Sequence, residues 1–355
     1  MKKVIITTGG TGGHIYPALS VAKELRKREV EIIFVGSSSR MEKEMVPREG
    51  FKYVGLNISP LNSFSKMIKL IKTVSKAIKI ISKEKPDAVI GFGNYISFPI
   101  VFSAILMGKK VYLQEQNASI GLVNKLFYRF VKKTFLAFEK TYEDVPIKYQ
   151  SKFKVTGNPL REEIYNIVSL EEKERLNIKK EKVILITGGS LGAQSINEGI
   201  LKNWHLFIEH PNIRIYWATG KNNYNEIIKK LQGRIKGHVI KPYFDNMISI
   251  MSASDLVICR AGALTISELI ELNKPSILIP FNSIKVGQYE NAIVLKERDG
   301  AIIYSNKDVN EAIEEGIELL KNNSRLDKMK LKIRSLKHSN ATINIVESLD
   351  IWGNK

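Results

Sequence analysis

A glycine-rich turn that ends in a histidine is the first feature of this sequence that could do chemistry. The stretch TTGGTGGH starts at Thr7, after the apolar run VII, and ends at His14. Between a strand and a helix, such a turn offers backbone N–H groups to phosphate, and glycine lets a ligand approach closely. A histidine there can take a proton near neutral pH. Two simpler interpretations stay open: the glycines only pack the turn, or His14 caps it or contacts phosphate without taking a proton.

A second turn of the same kind lies about 180 residues further on. The run VILITGGSLGA from Val183 is similar to VIITTGGTGGH from Val4. Neither run has the G-x-G-x-x-G spacing of a dinucleotide site, and the chain has no G-x-x-x-x-G-K-[ST] motif. The sequence therefore disfavours a nicotinamide enzyme or a P-loop ATPase and favours another phosphate-containing ligand.

The histidines and carboxylates do not have the spacing of a metal site. Neither an H-E-x-x-H motif nor a D-x-D pair occurs, and the histidines are His14, His205, His210, His238 and His338. We therefore predict no metal and no cofactor. A diphosphate leaving group would have to be neutralised by backbone dipoles and polar side chains.

Short β-branched runs alternate with amphipathic helical patterns along all 355 residues. This alternation predicts an α/β chain with parallel sheets, and the two glycine turns predict two Rossmann-like domains. The stretch GNPLREE at residues 157–163 is the predicted hinge, which gives domains 1–160 and 161–337. Ligands should bind outside the carboxyl ends of the strands, and we expect both sheets to face one interdomain cleft.

The net charge of +19 is concentrated in the first domain. Residues 1–160 contain 27 Lys and Arg against 12 Asp and Glu, a net charge of +15. Residues 62–85 predict a basic amphipathic helix, and residues 123–133 are a second candidate. The charge favours an anionic partner such as a membrane surface, although lysines on a solvated helix face would also account for it.

A single cysteine, Cys259, excludes an internal disulfide framework and fits a reducing compartment. The N-terminus lacks the apolar core of a signal peptide, and the longest apolar stretch is too short to span a bilayer. We therefore expect a cytoplasmic protein that binds the membrane surface peripherally.

Seven segments together resemble the MurG family of glycosyltransferases, in the family's order. They are GGTGGHIYPALSVA, GFGNYISFP, EQNASIGLVN, GNPLR, GGSLGA, RAGALTISE and GQYENA. The resemblance implies the two-domain GT-B fold, with a last helix at about 338–355 that crosses back onto the first domain. It also implies metal-independent, inverting transfer of N-acetylglucosamine from its UDP donor to undecaprenyl-diphospho-N-acetylmuramoyl-pentapeptide. That reaction belongs to peptidoglycan synthesis, and hence to cell-wall growth, cell shape and division.

The resemblance also implies which residues bind the donor. The amides of residues 263–265 and the Ser190 hydroxyl are expected at the diphosphate, and Glu268 at the ribose hydroxyls. The full set of expected donor contacts is Thr11, Gly12, Gly13, Asn117, Arg161, Ser190, Phe244, Ala263, Leu264, Thr265, Glu268, Gln288 and Asn291. Phe244 corresponds to the uracil position, Arg161 lies near the nucleotide, and Asn117, Gln288 and Asn291 correspond to sugar contacts.

In this interpretation the first glycine turn binds the acceptor. Its residues Gly9, Gly10, Thr11, Gly12 and Gly13 are expected to bind the acceptor diphosphate. His14 is the predicted general base for the acceptor's 4-hydroxyl, with Glu115 as the alternative. Three residues depart from the family pattern. Gln114 precedes EQN where the family often has His, and Gly287 precedes Q-Y where the family often has His or Gln. Asn94 precedes the Tyr where the family's GFGGY has Gly.

Three other functions stay open at this point. A diacylglycerol glycosyltransferase of the same fold would share the nucleotide motifs and the basic face. A basic nucleic-acid-binding protein would account for the charge, although no RNP, KH or helix-turn-helix signature occurs. A catalytically silent protein that binds nucleotide sugars would keep the glycine turns.

Overall fold

The computed structural model describes residues 1–58, 64–189, 191–235, 237–281, 283, 287–338 and 340–352, with the backbone alone at 64–69. The described chain divides into two compact units. Unit 1 runs from Met1 to Arg161 and resumes at His338, and unit 2 runs from Glu162 to Lys337. The boundary lies one residue beyond the one chosen from the GNPLREE stretch, so that Arg161 belongs to unit 1.

Unit 1 is built on a parallel sheet with the strand order β3-β2-β1-β4-β5-β6-β7 in the described residues. The strands are β1 (Lys3–Thr7), β2 (Glu31–Ser37), β3 (Lys52–Leu56), β4 (Ala88–Gly91), β5 (Lys110–Glu115), β6 (Lys133–Leu136) and β7 (Phe153–Val155). The apolar runs of β1, β2, β4, β5 and β6 are buried on both faces, as the sequence pattern predicts for parallel strands, whereas the edge strands β3 and β7 are partly exposed.

Helices cover both faces of this sheet. They are α1 (Gly12–Lys27), α2 (Glu42–Arg48), α3 (Phe64–Glu84), α4 (Asn94–Leu106), α5 (Leu122–Phe127) and α6 (Glu139–Glu143). Successive residues of a strand point to opposite faces. Val4 and Ile6 of β1 therefore pack with α1 and α2, whereas Ile5 packs with α3, α4 and α5.

Unit 2 repeats this architecture with the strand order β10-β9-β8-β11-β12-β13 in the part of the chain described. The strands are β8 (Lys182–Thr187), β9 (Ile213–Ala218), β10 (Val239–Lys241), β11 (Leu256–Cys259), β12 (Ser276–Leu278) and β13 (Ala301–Ile303). The helices are α7 (Ser169–Arg175), α8 (Gln194–Lys202), α9 (Trp204–Glu209), α10 (Tyr224–Leu231), α11 (Met247–Ala253), α12 (Ala263–Glu271), α13 (Gln288–Lys296), α14 (Val309–Lys321) and α15 (Asn323–Arg334).

The last helix, α16 (Ala341–Glu347), belongs to unit 1. Ile345, Val346, Leu349 and Ile351 are buried in the unit 1 core, where α16 packs on α1. Asn340 caps the helix, since its side chain accepts hydrogen bonds from the N–H groups of residues 342 and 343. The chain therefore leaves unit 1, builds unit 2 and returns.

Each sheet has one point where the strand order reverses. In unit 1 this point lies between β1 and β4, and in unit 2 it lies between β8 and β11. The loops that leave two such strands run in opposite directions, which opens a crevice at their carboxyl ends. The TGGTGGH turn and the GFGNY segment border the crevice of unit 1, and residues 188–189, residues 191–193 and the RAGALT segment border that of unit 2.

No helix in the described part of the chain combines the length and the apolar character that crossing a bilayer requires.

Candidate active site

The first turn of unit 1 encloses a buried carboxylate. Oε2 of Glu42 accepts a hydrogen bond from the Gly10 N–H at 3.0 Å, and Oε1 accepts one from the Ser37 N–H at 3.0 Å. A Cβ at Gly9 would clash with this carboxylate. Gly9 is therefore required by a side chain of the protein itself, and the Gly10 amide is already engaged. Packing against Glu42 is thus one reason for glycine at position 9, and the acceptor contacts of Gly9 and Gly10 stay predictions.

The turn continues into α1, whose first residues have more room. Thr11 is the N-cap residue, and Gly12, Gly13 and His14 form the first turn of the helix. A Cβ at Gly13 would meet its nearest neighbour, Thr11 Oγ1, at 3.6 Å, which is ordinary contact. The first amides of a helix have no intrahelical acceptor, so these positions offer N–H groups to an anion.

Asn94 connects the turn to the segment after β4. Its side-chain N–H donates to the Gly9 carbonyl, and its Oδ1 accepts from the Ile96 N–H at 2.8 Å. Asn94 has φ +51°, a left-handed conformation that asparagine adopts more readily than most residues.

His14 is hydrogen-bonded to a buried group of amides. Its Nδ1 lies 2.9 Å from Oε1 of Gln116, which in turn contacts Gln114, and Gln114 contacts Asn158. Burial lowers the pKa of His14 below the value of about 6.5 that is usual for histidine. The charge of Glu115 and the hydrogen bond to Gln116 oppose this effect but do not cancel it. His14 is therefore neutral, and able to accept a proton, at pH 7.

Glu115 has a different surrounding. Its Oε1 accepts from the backbone and side-chain N–H groups of Asn117, and its Oε2 accepts from the Gly121 N–H and from Asn124. The residue is buried at the end of β5. Its carboxylate therefore stabilises the 115–124 loop, and its role as the alternative base stays a prediction.

Arg161 lies in unit 1, beside the helix that carries His14. Its guanidinium is 5.5 Å from the centre of the Tyr16 ring, within the range of a cation–π contact. The structure therefore brings Arg161 close to α1 within the same unit.

In unit 2, the RAGALT segment forms the start of α12. Gly262 is the N-cap residue, and the first backbone bond of the helix runs from the Ile266 N–H to the Gly262 carbonyl at 2.9 Å. The amides of Ala263, Leu264 and Thr265 thus precede the first intrahelical bond, where an anion can bind them. Glu268 lies one turn further on the same helix and is half-buried.

The second glycine turn is shaped by packing between two loops. A Cβ at Gly192 would clash with the Thr219 carbonyl, and one at Gly220 would clash with the Leu191 carbonyl. Gly189 has no atom within 4 Å of such a Cβ, although its φ of +86° favours glycine. Ser190, a predicted diphosphate contact, lies outside the described residues.

The GQYENA segment, which is predicted to contact the sugar, is hydrogen-bonded to two neighbouring segments. Oε1 of Gln288 accepts from the Phe281 N–H at 2.7 Å, and Nδ2 of Asn291 donates to the Ala261 carbonyl at 3.2 Å. Asn291 thus connects α13 to the RAGALT segment. Gly287 has φ +63°, which explains glycine at this position.

Phe244 is buried, with its ring 6.0 Å from that of Tyr216. Its side chain is part of the packing of unit 2, so only its backbone groups are available to a uracil. The family position and the apolar residue type could not reveal this burial.

Among the described residues, no group of three or more His, Cys, Asp and Glu side chains has the arrangement of a metal site.

Comparisons with known proteins agree with this architecture. The model of the glycosyltransferase family 28 N-terminal domain matches residues 4–136, and that of the family 28 C-terminal domain matches residues 183–344. The UDP-N-acetylglucosamine--N-acetylmuramyl-(pentapeptide) pyrophosphoryl-undecaprenol N-acetylglucosamine transferase of Fusobacterium nucleatum subsp. nucleatum is 53% identical over 355 residues, covering 100% of this chain and 99% of that protein. The chain belongs to the MurG family.

Further relatives and solved structures are similar to this chain over nearly its whole length. The protein of the same name from Acetivibrio thermocellus is 36% identical and covers 99% of each chain. The crystal structure of Acinetobacter baumannii MurG superimposes with a TM-score of 0.81 at 28% identity, covering 98% of this chain and 99% of that one. A UDP-GlcNAc 2-epimerase from Neisseria meningitidis, with a TM-score of 0.67 at 18% identity, shares the fold alone.

Three residues of the MurG-like site were missed by sequence reasoning. Gln116 and Asn158 lie inside the EQN and GNPLR segments but had no assigned role, and Glu42 was not singled out. The one available signal was an acidic residue shortly after β2, in SSSRMEKE. Contact between residues 10 and 42 or between residues 14 and 116 depends on the fold and is not visible in any short motif.

Proposed function

We propose that this chain transfers N-acetylglucosamine from UDP-N-acetylglucosamine to the 4-hydroxyl of undecaprenyl-diphospho-N-acetylmuramoyl-pentapeptide. The product is the β-1,4-linked lipid disaccharide of peptidoglycan synthesis, formed with inversion. The observation that carries this proposal is 53% identity over the whole chain with a transferase of that name. Through this product the enzyme would act in cell-wall growth, and thereby in cell shape and division.

The donor is proposed to bind at the carboxyl edge of the unit 2 sheet. The amides of residues 263–265 would bind the diphosphate, and Glu268 would accept hydrogen bonds from the ribose hydroxyls. Ser190, Gln288, Asn291 and the backbone of Phe244 complete the unit 2 contacts. The donor contacts proposed from unit 1 are Thr11, Gly12, Gly13, Asn117 and Arg161.

The acceptor diphosphate is proposed to bind at the start of α1. The amides of Gly12 and Gly13 and the hydroxyl of Thr11 would bind it, while Gly9 and Gly10 keep the turn closed around Glu42. No metal or cofactor is required in this proposal, because the helix amides that begin α1 and α12 would bind the two diphosphates.

The chemistry is a single displacement with His14 as general base. Its unprotonated ring nitrogen takes the proton of the acceptor 4-hydroxyl while that oxygen forms a bond to C1 of N-acetylglucosamine. The bond from C1 to the phosphate oxygen breaks, and its electron pair leaves with UDP. The imidazolium then loses its proton to water. A positioned base of this kind contributes about two to four decades in rate.

A basic face of unit 1 is proposed to bind the anionic surface of the membrane that contains the acceptor. Helices α3, α4 and α5 pack on the same side of the sheet. Their exposed apolar side chains are Ile71, Leu106, Leu122 and Leu126, and the exposed Phe130 follows α5. The same segments carry exposed basic residues: Lys72, Lys76, Lys79, Lys83, Lys125, Arg129 and Lys132. Apolar side chains insert between headgroups, and each nearby basic residue adds about 1 kcal/mol on anionic lipid.

The predicted helix of residues 62–85 corresponds to α3, which begins at Phe64. Ile81 is buried in the core whereas Ile71 is exposed, so the core does not cover all the apolar side chains of α3. The side chains of Phe64, Met67 and Ile68 lie outside the described residues. With this surface, the protein would act peripherally on the cytoplasmic face of the membrane.

The test is transfer of labelled N-acetylglucosamine from UDP to a short-chain analogue of the lipid-linked muramoyl-pentapeptide, with and without excess EDTA. We expect transfer that survives EDTA. Diacylglycerol serves as the second acceptor, because transfer to it alone would support the lipid-glycosylating enzyme of the same fold. Absence of transfer to both, with UDP-N-acetylglucosamine still bound, would indicate a silent binding protein. Binding to RNA or DNA in preference to both would favour the nucleic-acid alternative, which nothing in the site favours.

A further inference from the structure

The two ring nitrogens of His14 are not equivalent. Neutral histidine carries its proton on one nitrogen and a lone pair on the other, and only the lone pair can act as a base. Nδ1 faces Oε1 of Gln116 at 2.9 Å. The amide orientation of Gln116 therefore decides whether Nδ1 is a donor in this contact. The Phe92 carbonyl also interacts with the His14 ring, and a carbonyl can only accept a hydrogen bond.

Three buried amides determine that orientation together. Nε2 of Gln116 lies 3.3 Å from the Phe92 carbonyl, Nε2 of Gln114 lies 3.1 Å from the Glu115 carbonyl, and Nδ2 of Asn158 lies 3.0 Å from the Gln116 carbonyl. A backbone carbonyl can only accept a hydrogen bond. Each NH₂ group must therefore point to its carbonyl.

The remaining oxygens then form a directed chain. Asn158 Oδ1 accepts from Gln114, Gln114 Oε1 accepts from Gln116, and Gln116 Oε1 is left facing His14. All three amides are buried. Reversing one of them would leave buried donors and acceptors unpaired, which is unfavourable.

We propose that Gln116 is a positioning residue that holds the proton of neutral His14 on Nδ1, so that Nε2 is the nitrogen that accepts the proton of the acceptor hydroxyl. The second half of this statement rests on the proposed function. The Gln116 side chain is buried, and in this proposal it acts through His14.

An amide partner differs from a carboxylate partner in one respect. A carboxylate beside Nδ1 would stabilise the imidazolium and keep the histidine charged at neutral pH. Gln116 is uncharged, so it orients the ring while the pKa of His14 stays low. Gly93 leaves space for this contact, because a Cβ there would lie 3.1 Å from Oε1 of Gln116 and 3.4 Å from Cε1 of His14.

The direct test is nitrogen-15 NMR of the full chain labelled at histidine, with His14 assigned from the His14→Gln spectrum. We expect the wild type above the pKa of His14 to show a protonated Nδ1 and an unprotonated Nε2. A wild type that carries the proton on Nε2 would overturn the proposal without any variant or activity measurement.

Gln116→Met keeps a side chain of similar length but removes the acceptor. We expect the His14 proton to redistribute towards Nε2, and kcat to fall by at least tenfold, up to the loss seen in His14→Ala, while the KM for the donor changes little. Gln150→Met is the matched control, because Gln150 also donates to a backbone carbonyl of unit 1 and lies apart from His14. An unchanged His14 tautomer in Gln116→Met would contradict the proposal.

Two further variants separate positioning from general stability. Gln116→Glu should move the acid limb of kcat/KM to higher pH, since a carboxylate partner raises the pKa of His14. The charge of Glu115 already acts on this pKa in the same direction.

The double variant His14→Ala, Gln116→Met should transfer no more slowly than His14→Ala alone. Multiplied losses would indicate a merely structural role. If His14→Ala transfers at the wild-type rate while the tautomer depends on Gln116, the proposed base fails and the positioning stands.

Discussion

At the scale of single residues, Gly9 and Gly13 in the same turn have different neighbours. Gly9→Ala would push a methyl group into the carboxylate of Glu42, whereas Gly13→Ala places one on a helix at ordinary contact distance from Thr11 Oγ1. We expect Gly9→Ala to lower the free energy of unfolding by about 1–3 kcal/mol, as overpacking does. Gly13→Ala should fold at least as stably as the wild type, because alanine favours helix.

The same pair tests the acceptor site. Urea unfolding measures the stability of both variants, and transfer kinetics measure the KM for the lipid-linked acceptor. If the diphosphate binds at the start of α1, Gly13→Ala should raise this KM while stability is kept. A Gly13→Ala protein with unaltered kinetics would move the acceptor diphosphate away from the turn.

We expect titration of His14 to determine the pH dependence of transfer. Burial lowers its pKa, so the neutral base persists to pH values below 6.5 and is lost only as the pH falls through that lowered pKa. We expect kcat/KM to be flat through neutral pH, with an acid limb below pH 6.5. His14→Ala should abolish that limb and lower kcat by about two to four decades. A limb that survives in His14→Ala would assign it to another group.

At the scale of elements, α5 and the short turn after it present apolar side chains among basic ones. Leu122 is 73% exposed, and Leu126 and Phe130 follow at intervals of four residues. We expect Leu122→Ser with Phe130→Ser to weaken binding to anionic vesicles by at least tenfold, since burying each such side chain contributes about 1.5–3 kcal/mol.

A matched control exists in unit 2. Leu331 on α15 is 68% exposed, so Leu331→Ser removes a comparable apolar surface from another unit. Vesicle sedimentation at increasing salt separates the charge contribution from the apolar one, because salt screens only the first. If Leu331→Ser weakens vesicle binding equally, the basic face of unit 1 has no special role in that binding.

At the scale of the whole molecule, the return of the chain to unit 1 makes α16 part of its core. Ile345 is fully buried there, while Ile343 on the same helix is 37% exposed. We expect Ile345→Ala to cost about 2–5 kcal/mol of stability and Ile343→Ala well under 1 kcal/mol. Fluorescence of Trp352, whose indole N–H donates to the Val346 carbonyl, reports this unit during urea unfolding. Similar losses in both variants would mean that α16 is only loosely packed.

The sequence by itself determined the repeated strand, turn and helix pattern, the two parallel sheets and the family, because these depend on short apolar runs and motifs whose order survives in the linear chain. The roles of individual residues depended on contacts between distant segments. Gly9 is explained by Glu42, and the proton of His14 by residues 92, 114, 116 and 158. Phe244 is buried although its motif suggested a ligand contact. Only the tertiary structure decided these points, because a hydrogen bond or a clash needs atoms within about 3–4 Å, which sequence spacing does not specify.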